Sequence, residues 1–274
     1  METLLIATDF SNSAKNASYY AADLAKYFSA KLVLVNAVNL PLGGFDSVQP
    51  LEMLSVLKTS AEGALKILKK ELIERIGYDP DIICVAEAGS VFEVVSDAAT
   101  KYSAELIIMG IVGEANKLKE KFIGSSVLSV ARDSDLPLFV IPENARYQPI
   151  KTISFACDLD HIKDSTLIYS ARYFATIFNA ELEIVSVSAQ GNDSADEKSE
   201  SIQFIDEHLK NVKHKNVFVK DDSAGEALEY YLKFHKTNML MIHPKKHKLF
   251  ESLFEGSVTK HLIFSSETPL LIIH

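Results

Sequence analysis

The stretch Leu106-Ile107-Ile108-Met109-Gly110-Ile111-Val112-Gly113, answered after ten further residues by Gly124-Ser125-Ser126, decides how the chain is read. Its first part is a short apolar run with the length of a buried parallel strand, and it leads into a glycine-punctuated loop. Its second part sets a glycine and two hydroxyls at the start of a helix. Glycines let a backbone come close to a ligand and adopt φ > 0. A helix N-terminus offers unpaired N–H groups and the positive end of a dipole, which suits an anion. Strand, Gly-x-x-Gly loop and Gly-Ser helix start together describe a phosphate cradle.

Working outward, the segment before the cradle alternates strands and helices. Leu4–Thr8 reads as a buried strand ending at Asp9. A helix follows from Ser11 to Phe28, with Ala14, Ala17, Ala21, Leu24 and Ala25 at helical spacing and Ser11 or Asn12 as N-cap. Lys31–Val38 is the next strand, and Pro41, Gly43 and Gly44 mark a loop. A long amphipathic helix from about Glu52 to Ile76 carries Leu54, Leu57, Ala61, Leu65, Leu68 and Leu72 inward. Asp81–Ala86 is a third strand. Ser90-Val91-Phe92-Glu93 fits a capping box opening a helix to Tyr102. Beyond the cradle, a helix begins near Gly124-Ser125 and Leu138–Ile141 closes the unit. Five strands alternating with four helices predict a parallel sheet covered on both faces.

The polar, proline-bearing segment Glu143-Asn144-Ala145-Arg146-Tyr147-Gln148-Pro149 reads as a linker, after which the pattern restarts. Thr152-Ile153-Ser154-Phe155-Ala156-Cys157-Asp158 echoes Thr3-Leu4-Leu5-Ile6-Ala7-Thr8-Asp9. Gly256-Ser257 echoes Gly124-Ser125, and Thr268-Pro269-Leu270 echoes Leu136-Pro137-Leu138. The chain of 274 residues is thus expected to hold two tandem domains, 1–143 and 150–274. Such a size is ample for two hydrophobic cores with no metal or disulfide staple.

Composition bounds the partners. A net charge of −9 argues against a nucleic-acid binder, whose phosphate contacts need a Lys and Arg surplus. It leaves room for a nucleotide pocket built from backbone N–H groups. The two cysteines, Cys84 and Cys157, lie in apolar runs and read as buried, reduced thiols. No apolar run approaches the length of a membrane span, and Met1–Ala7 lacks a basic segment and meets Asp9 early, so a cytoplasmic protein away from membranes is expected. His243-Pro244-Lys245-Lys246-His247, with Cys157 and Asp158, is the cluster nearest to a metal set. Its proline keeps the two histidines off a regular helical face, and the reading is of solvated or hydrogen-bonded side chains without a metal.

These residues resemble the universal stress protein family, as a tandem of two such domains. The resemblance rests on Ile6-Ala7-Thr8-Asp9-Phe10-Ser11 and on Gly110-Ile111-Val112-Gly113, ten residues, Gly124-Ser125-Ser126, one residue longer than the family's spacing. It implies two doubly wound parallel sheets of the adenine-nucleotide-binding α/β class, strand order 3-2-1-4-5. It also implies ATP or another adenine nucleotide as ligand, with or without Mg. Asp9 would lie on the adenine and ribose side, and the Ala37 backbone would read the adenine edge. Met109, Gly110 and Gly113 would line the ribose and phosphate path, and Gly124, Ser125 and Ser126 would take phosphates.

In the second copy His243 replaces the first glycine and Lys246 the second; sliding by one residue puts Ile242 and Lys245 there, so neither register restores a glycine. That copy is expected not to bind ATP in the family manner. The leading functional reading is a stress-response sensor in which the segment between Gly113 and Gly124 responds to phosphate. A slow ATPase or autophosphorylating protein is an alternative, with no committed general base. A ligand-independent scaffold is another, in which Leu138–Ile141 and Leu270–Ile273 pair as an intramolecular pseudo-dimer, with further homodimerisation left open.

Overall fold

The computed structural model describes residues 1–39, 50–111, 125–157, 159, 162, 165–188, 195–221, 224–243 and 268–273. These form two compact units, 1–111 with 125–147, and 148–273.

In the first unit the strands are β1 (Thr3–Ala7), β2 (Lys31–Val38), β3 (Ile82–Ala88), β4 (Leu106–Ile111) and β5 (Leu138–Pro142). The helices are α1 (Asn12–Phe28), α2 (Pro50–Ile76), α3 (Val91–Tyr102) and α4 (Ser125–Asp133). The sheet order is β3-β2-β1-β4-β5, and every pairing is parallel. Connections out of β1 run to β2 on one side, while β4 enters on the other, so the order reverses between β1 and β4. β1 and β5 are buried along their whole length, as strands covered on both faces must be.

Local chemistry fixes the helix ends. Ser11 caps α1, its hydroxyl accepting from the Ala14 N–H at 3.3 Å. Ser90 caps α3 in a complete capping box, with its hydroxyl accepting from the Glu93 N–H while the Glu93 carboxylate accepts from the Ser90 N–H. Both helices end on a left-handed serine, Ser29 at φ 55° and Ser103 at φ 53°, each returning its N–H to a carbonyl of the last turn. The inward face of α1 is made of small residues, with Ala14, Ala17, Ala21, Ala22 and Ala25 buried, so the helix axis can lie close to the sheet.

After β5 the chain folds back on α1. Asn16 Nδ2 donates to the carbonyls of Pro142 and Ala145, each at 3.0 Å, and Arg146 donates to Asn16 Oδ1. Tyr147 meets Tyr20 edge-on at 5.2 Å. Tyr20 is buried, and its phenol is pushed above its ordinary range by desolvation. These contacts carry the first unit through Tyr147.

The second unit repeats the plan with β6 (Thr152–Cys157), α5 (Ser165–Phe178), β7 (Glu181–Ser188), α6 (Ala195–His208), β8 (His214–Lys220), α7 (Ala224–Phe234), β9 (Met239–Ile242) and β10 (Leu270–Ile272). Its order is β8-β7-β6-β9-β10, again all parallel. Here the core holds a polar network. Glu183 on β7 is buried and accepts hydrogen bonds from Lys215 at 2.5 Å and from the Tyr231 hydroxyl on α7. Ser154 on β6 completes it, its hydroxyl 2.8 Å from that of Tyr231. Burial works to raise the pKa of Glu183, but the hydrogen bonds from Lys215 and Tyr231 outweigh it and hold the carboxyl below its ordinary value.

The doubly wound fold expected from the sequence is present in both units. Element ends shift by one to three residues, and one shift has consequences. β4 runs past Met109 through Gly110 and Ile111, which pair with Ile141 and Pro142. The first glycine therefore belongs to the strand and not to a loop.

Because the carboxyl of Glu183 is held low, its contribution to stability is complete above the ordinary carboxylate range and is lost as pH falls through the lowered value. Glu183→Ala strands Tyr231, Ser154 and Lys215 and is expected to cost about 2 kcal/mol. Hydrogen exchange should show the loss as faster opening of α7. The acid limb of stability should flatten in Glu183→Gln, measured by urea unfolding across pH.

Candidate functional site

At the carboxyl ends of β1, β2 and β4 the first unit opens into a crevice of about 330 Å³. A cavity of that volume lies within the range of small-molecule sites. It sits where the strand order reverses, the position at which open α/β sheets bind ligands.

Each wall follows from a strand end or a helix start. β1 delivers Thr8 and Asp9, β2 delivers Asn36 and Ala37, and β4 delivers Met109 and Gly110. Ser11 and Ser13 enter from the start of α1, Val91 and Val95 from α3, and Ser126 and Val127 from α4. The turn after β1 is held by its own side chains. Asp9 Oδ1 accepts from the Ser11 N–H at 3.0 Å, and Thr8 Oγ1 accepts from the Phe10 N–H at 3.1 Å. Phe10 takes φ 63° in this turn. Asn36 Nδ2 donates to the Thr8 carbonyl at 2.7 Å, fastening the end of β2 to the end of β1. The crevice thus pairs apolar walls of Ala37, Val91, Val95 and Met109 with polar groups on Asp9, Ser11, Asn36 and Ser126. That division suits a flat, partly apolar ring carrying polar substituents. At one rim lies the N-terminus of α4, whose first turn contains no acidic residue to repel an anion.

Of the residues singled out from sequence, Asp9, Ala37, Met109, Gly110 and Ser126 line this one crevice. Ser125 is the first residue of α4 and is exposed beside it. Gly113 and Gly124, and the segment between them, lie outside the described residues. Sequence reasoning missed Asn36, which had a legible signal as the one polar residue within the apolar run Leu32–Val38. It also missed Val91 and Val95, which nothing but tertiary structure distinguishes from other core positions.

Gly110 has a second reason to be glycine. A Cβ built there would stand 2.3 Å from the carbonyl oxygen of Ser13 and 2.7 Å from the backbone nitrogen of Ala14. Both atoms are backbone in the first turn of α1 and cannot swing aside. Bare backbone at Gly110 is what lets α1 start against β4.

The second unit answers the register question left open by sequence. Ala7 pairs with Met109 and Ala156 pairs with Ile242. Taking the alanines as equivalent places Ile242 at Met109 and His243 at Gly110. His243 is held by a hydrogen bond in which its ring Nδ1–H donates to the Ile273 carbonyl at 3.0 Å. Where the first unit already has helix at Ser13, the second has Ile162 in a turn, and its described helix begins at Ser165. Among the described residues no group of three or more His, Cys, Asp and Glu side chains is arranged to hold a metal. No helix there is long and apolar enough to cross a membrane.

The sequence matches the profile of the universal stress protein family over residues 1–142. The chain belongs to the universal stress protein family. Solved structures extend the likeness over both units. A universal stress protein from Archaeoglobus fulgidus shares 18% identity at a TM-score of 0.69, over 99% of this chain and 95% of that one. A putative universal stress protein from Pseudomonas aeruginosa shares 15% identity at a TM-score of 0.63, over 100% of this chain and 93% of that one. At these identities the likeness establishes the fold alone. No curated protein matches the sequence.

The packing role of Gly110 is separable from ligand binding. Gly110→Ala is expected to destabilise the ligand-free first unit by about 2–3 kcal/mol through overpacking. Urea unfolding of nucleotide-free protein measures it. Unchanged stability would assign the glycine to ligand contact alone.

Proposed function

We propose that the first unit binds an adenine nucleotide, ATP foremost, in the crevice at the ends of β1, β2 and β4, and that the protein serves as a sensor or regulator in a stress response. The observation that carries this reading is convergence. Asp9, Ala37, Met109, Gly110 and Ser126 lie far apart in sequence and line one cavity at the switch point of the sheet. In this reading the base lies between Ala37, Val91, Val95 and Met109, and the Ala37 backbone reads its edge. Asp9 accepts from a ribose hydroxyl. Phosphates leave toward Ser125 and Ser126 at the start of α4, where free N–H groups and the helix dipole favour anions. A Mg ion travelling with the nucleotide would find the Asp9 carboxylate and the hydroxyls of α4 as its oxygen donors. The second unit does not bind ATP in this manner, because His243 puts a side chain where the path needs bare backbone.

One observation favours a second reading, a scaffold with no required ligand. The close approach of α1 at Gly110 explains that glycine with no nucleotide at all.

The test uses the full chain purified without added nucleotide. After denaturation, mass spectrometry identifies what is released, and calorimetry titrates the emptied protein with ATP. The expected result is one adenine nucleotide per chain, with affinity lowered about tenfold in Asp9→Ala through loss of a hydrogen bond to a charged group. Two per chain would overturn the assignment of the second unit. No release and no binding would select the scaffold.

A further inference from the structure

β2 outruns one of its neighbours at the crevice. β1 pairs with it only as far as Ala7 opposite Val35, whereas β3 pairs with it through Val38. Asn36 and Ala37 therefore stand at a strand end with one side open. The Val35 carbonyl faces β1, where it accepts from the Thr8 N–H at 2.9 Å, and the Val38 carbonyl faces β3, where it accepts from the Gly89 N–H at 3.3 Å. Backbone groups alternate in direction along a strand, so Ala37 turns its N–H and its C=O to the side of β1, beyond the point where β1 has ended. One donor and one acceptor of bare backbone thus face the crevice that Ala37 lines.

Asn36 adds a third group. Its side chain is buried, only 9% exposed, yet it lines the same crevice. The Thr8 carbonyl is an acceptor only, so the amide must turn Nδ2 to it, at 2.7 Å. That bond fixes the orientation of the amide and leaves Oδ1 as its free end. In the hydrogen bonds of the described residues Oδ1 has no donor. Nor is it sealed in the core, since among the described residues Asn216 Oδ1 is the buried side-chain atom closed off without a partner. An unpartnered acceptor that remains open, on a side chain with so little exposure elsewhere, opens to the crevice. The clamp on Thr8 uses the nitrogen alone, and packing leaves the oxygen unexplained.

One donor and two acceptors suit one kind of ring edge. A 6-aminopurine carries an acceptor at N1 and two N–H donors on its exocyclic amine. N1 takes the Ala37 N–H, and one amine hydrogen goes to the Ala37 carbonyl. Resting on the nucleotide reading of this crevice, we infer that Asn36 is the residue that selects the 6-amino group, its Oδ1 accepting the second amine hydrogen. A 6-oxo purine would set an acceptor oxygen against these acceptors. A purine with only hydrogen at C6 would leave Oδ1 unpaired. Because Nδ2 is already held by Thr8, the acceptor is in place before the ligand arrives, and little rotamer freedom is lost on binding.

The test crosses two ligands with two variants. ATP and purine riboside triphosphate differ only in the 6-amino group. Asn36→Ala and Asn36→Val both remove the acceptor, and valine suits a strand interior, so a usable variant remains if the alanine form does not fold. Urea unfolding verifies that each is folded, and calorimetry on the nucleotide-free full chain measures the affinities. Wild-type protein is expected to prefer ATP about thirtyfold, with about tenfold of this due to Asn36, so the preference should fall to about threefold in the variants. Loss of the Thr8 clamp alone would weaken both ligands equally and leave the preference as in wild type. That result overturns the inference and leaves the nucleotide reading standing, as does equal affinity of the wild-type protein for the two ligands. Wild-type protein that binds neither ligand overturns the nucleotide reading, and the inference falls with it.

Discussion

The first turn of α1 lies against β4 at a distance that only a glycine permits. The carbonyl of Ser13 occupies the space that any side chain at Gly110 would need. Much of the first unit depends on this approach. It requires the alanine-rich inner face of α1, because larger side chains at Ala14, Ala17 and Ala21 would hold the helix away. It sets Ser11 and Ser13 at the mouth of the sheet, beside Met109 and Gly110. It also makes the turn between β1 and α1 tight, with Phe10 at φ 63° and Asp9 and Thr8 bonding the backbone two residues on. The crevice is what remains between this packed corner and the ends of β2, α3 and α4.

The two units show what happens when that constraint is released. At the position of Gly110 the second has His243, whose ring is anchored on the Ile273 carbonyl. A side chain there is incompatible with a helix turn at the distance seen in the first unit. Ile162, at the place of Ser13, is a buried residue in a turn and not in a helix. The side chain at His243 and the turn at Ile162 thus go together. The second unit also moved polarity into its core. Ser154, Glu183 and Tyr231 form a satisfied network where the corresponding strands of the first unit bury Leu5 and Val33. A network of that kind holds α7 in a defined register on the sheet. The buried ring of Tyr231 is the anchor of that helix.

Most of the fold was legible because its signals are local. Apolar runs such as Leu4–Ala7, capping residues such as Ser11 and Ser90, and the 3.6-residue spacing along α2 need no tertiary information. The repeat of these signals after Pro149 revealed the second unit. The sequence understates the reach of β4, because a glycine after an apolar run reads as a loop signal. A glycine in a strand equally marks close approach of another backbone, and sequence alone does not say which applies. Within the crevice, residues at strand ends were legible from motif spacing, since Asp9 and Met109 follow apolar runs directly. Val91 and Val95 were not, because a residue lining a pocket and a residue filling a core obey the same helical periodicity. Asn36 falls between. Its polarity within an apolar strand was visible, but its bond to the Thr8 carbonyl depends on β2 lying beside β1.

Gly110 therefore has a packing duty that comes before any ligand, and this bears on how glycine motifs in such folds are weighed. A bare strand end beside a helix N-terminus is needed for α1 to dock, and the same bare end is what a phosphate or ribose requires for close approach. The two demands coincide in space, so satisfying the first goes far toward creating the second. On this argument Gly110 by itself is weak support for a nucleotide, since the fold alone accounts for it. Asp9 is stronger support. The Asp9 carboxylate stabilises a turn through one oxygen, whereas its position on the crevice wall gives the other oxygen no structural task in the observed hydrogen bonds. Ser126 argues the same way, because α4 needs no hydroxyl at its second position to be helical, yet one is presented to the cavity. Polar residues that packing leaves unexplained, Asp9 and Ser126, speak for a ligand more than Gly110 does.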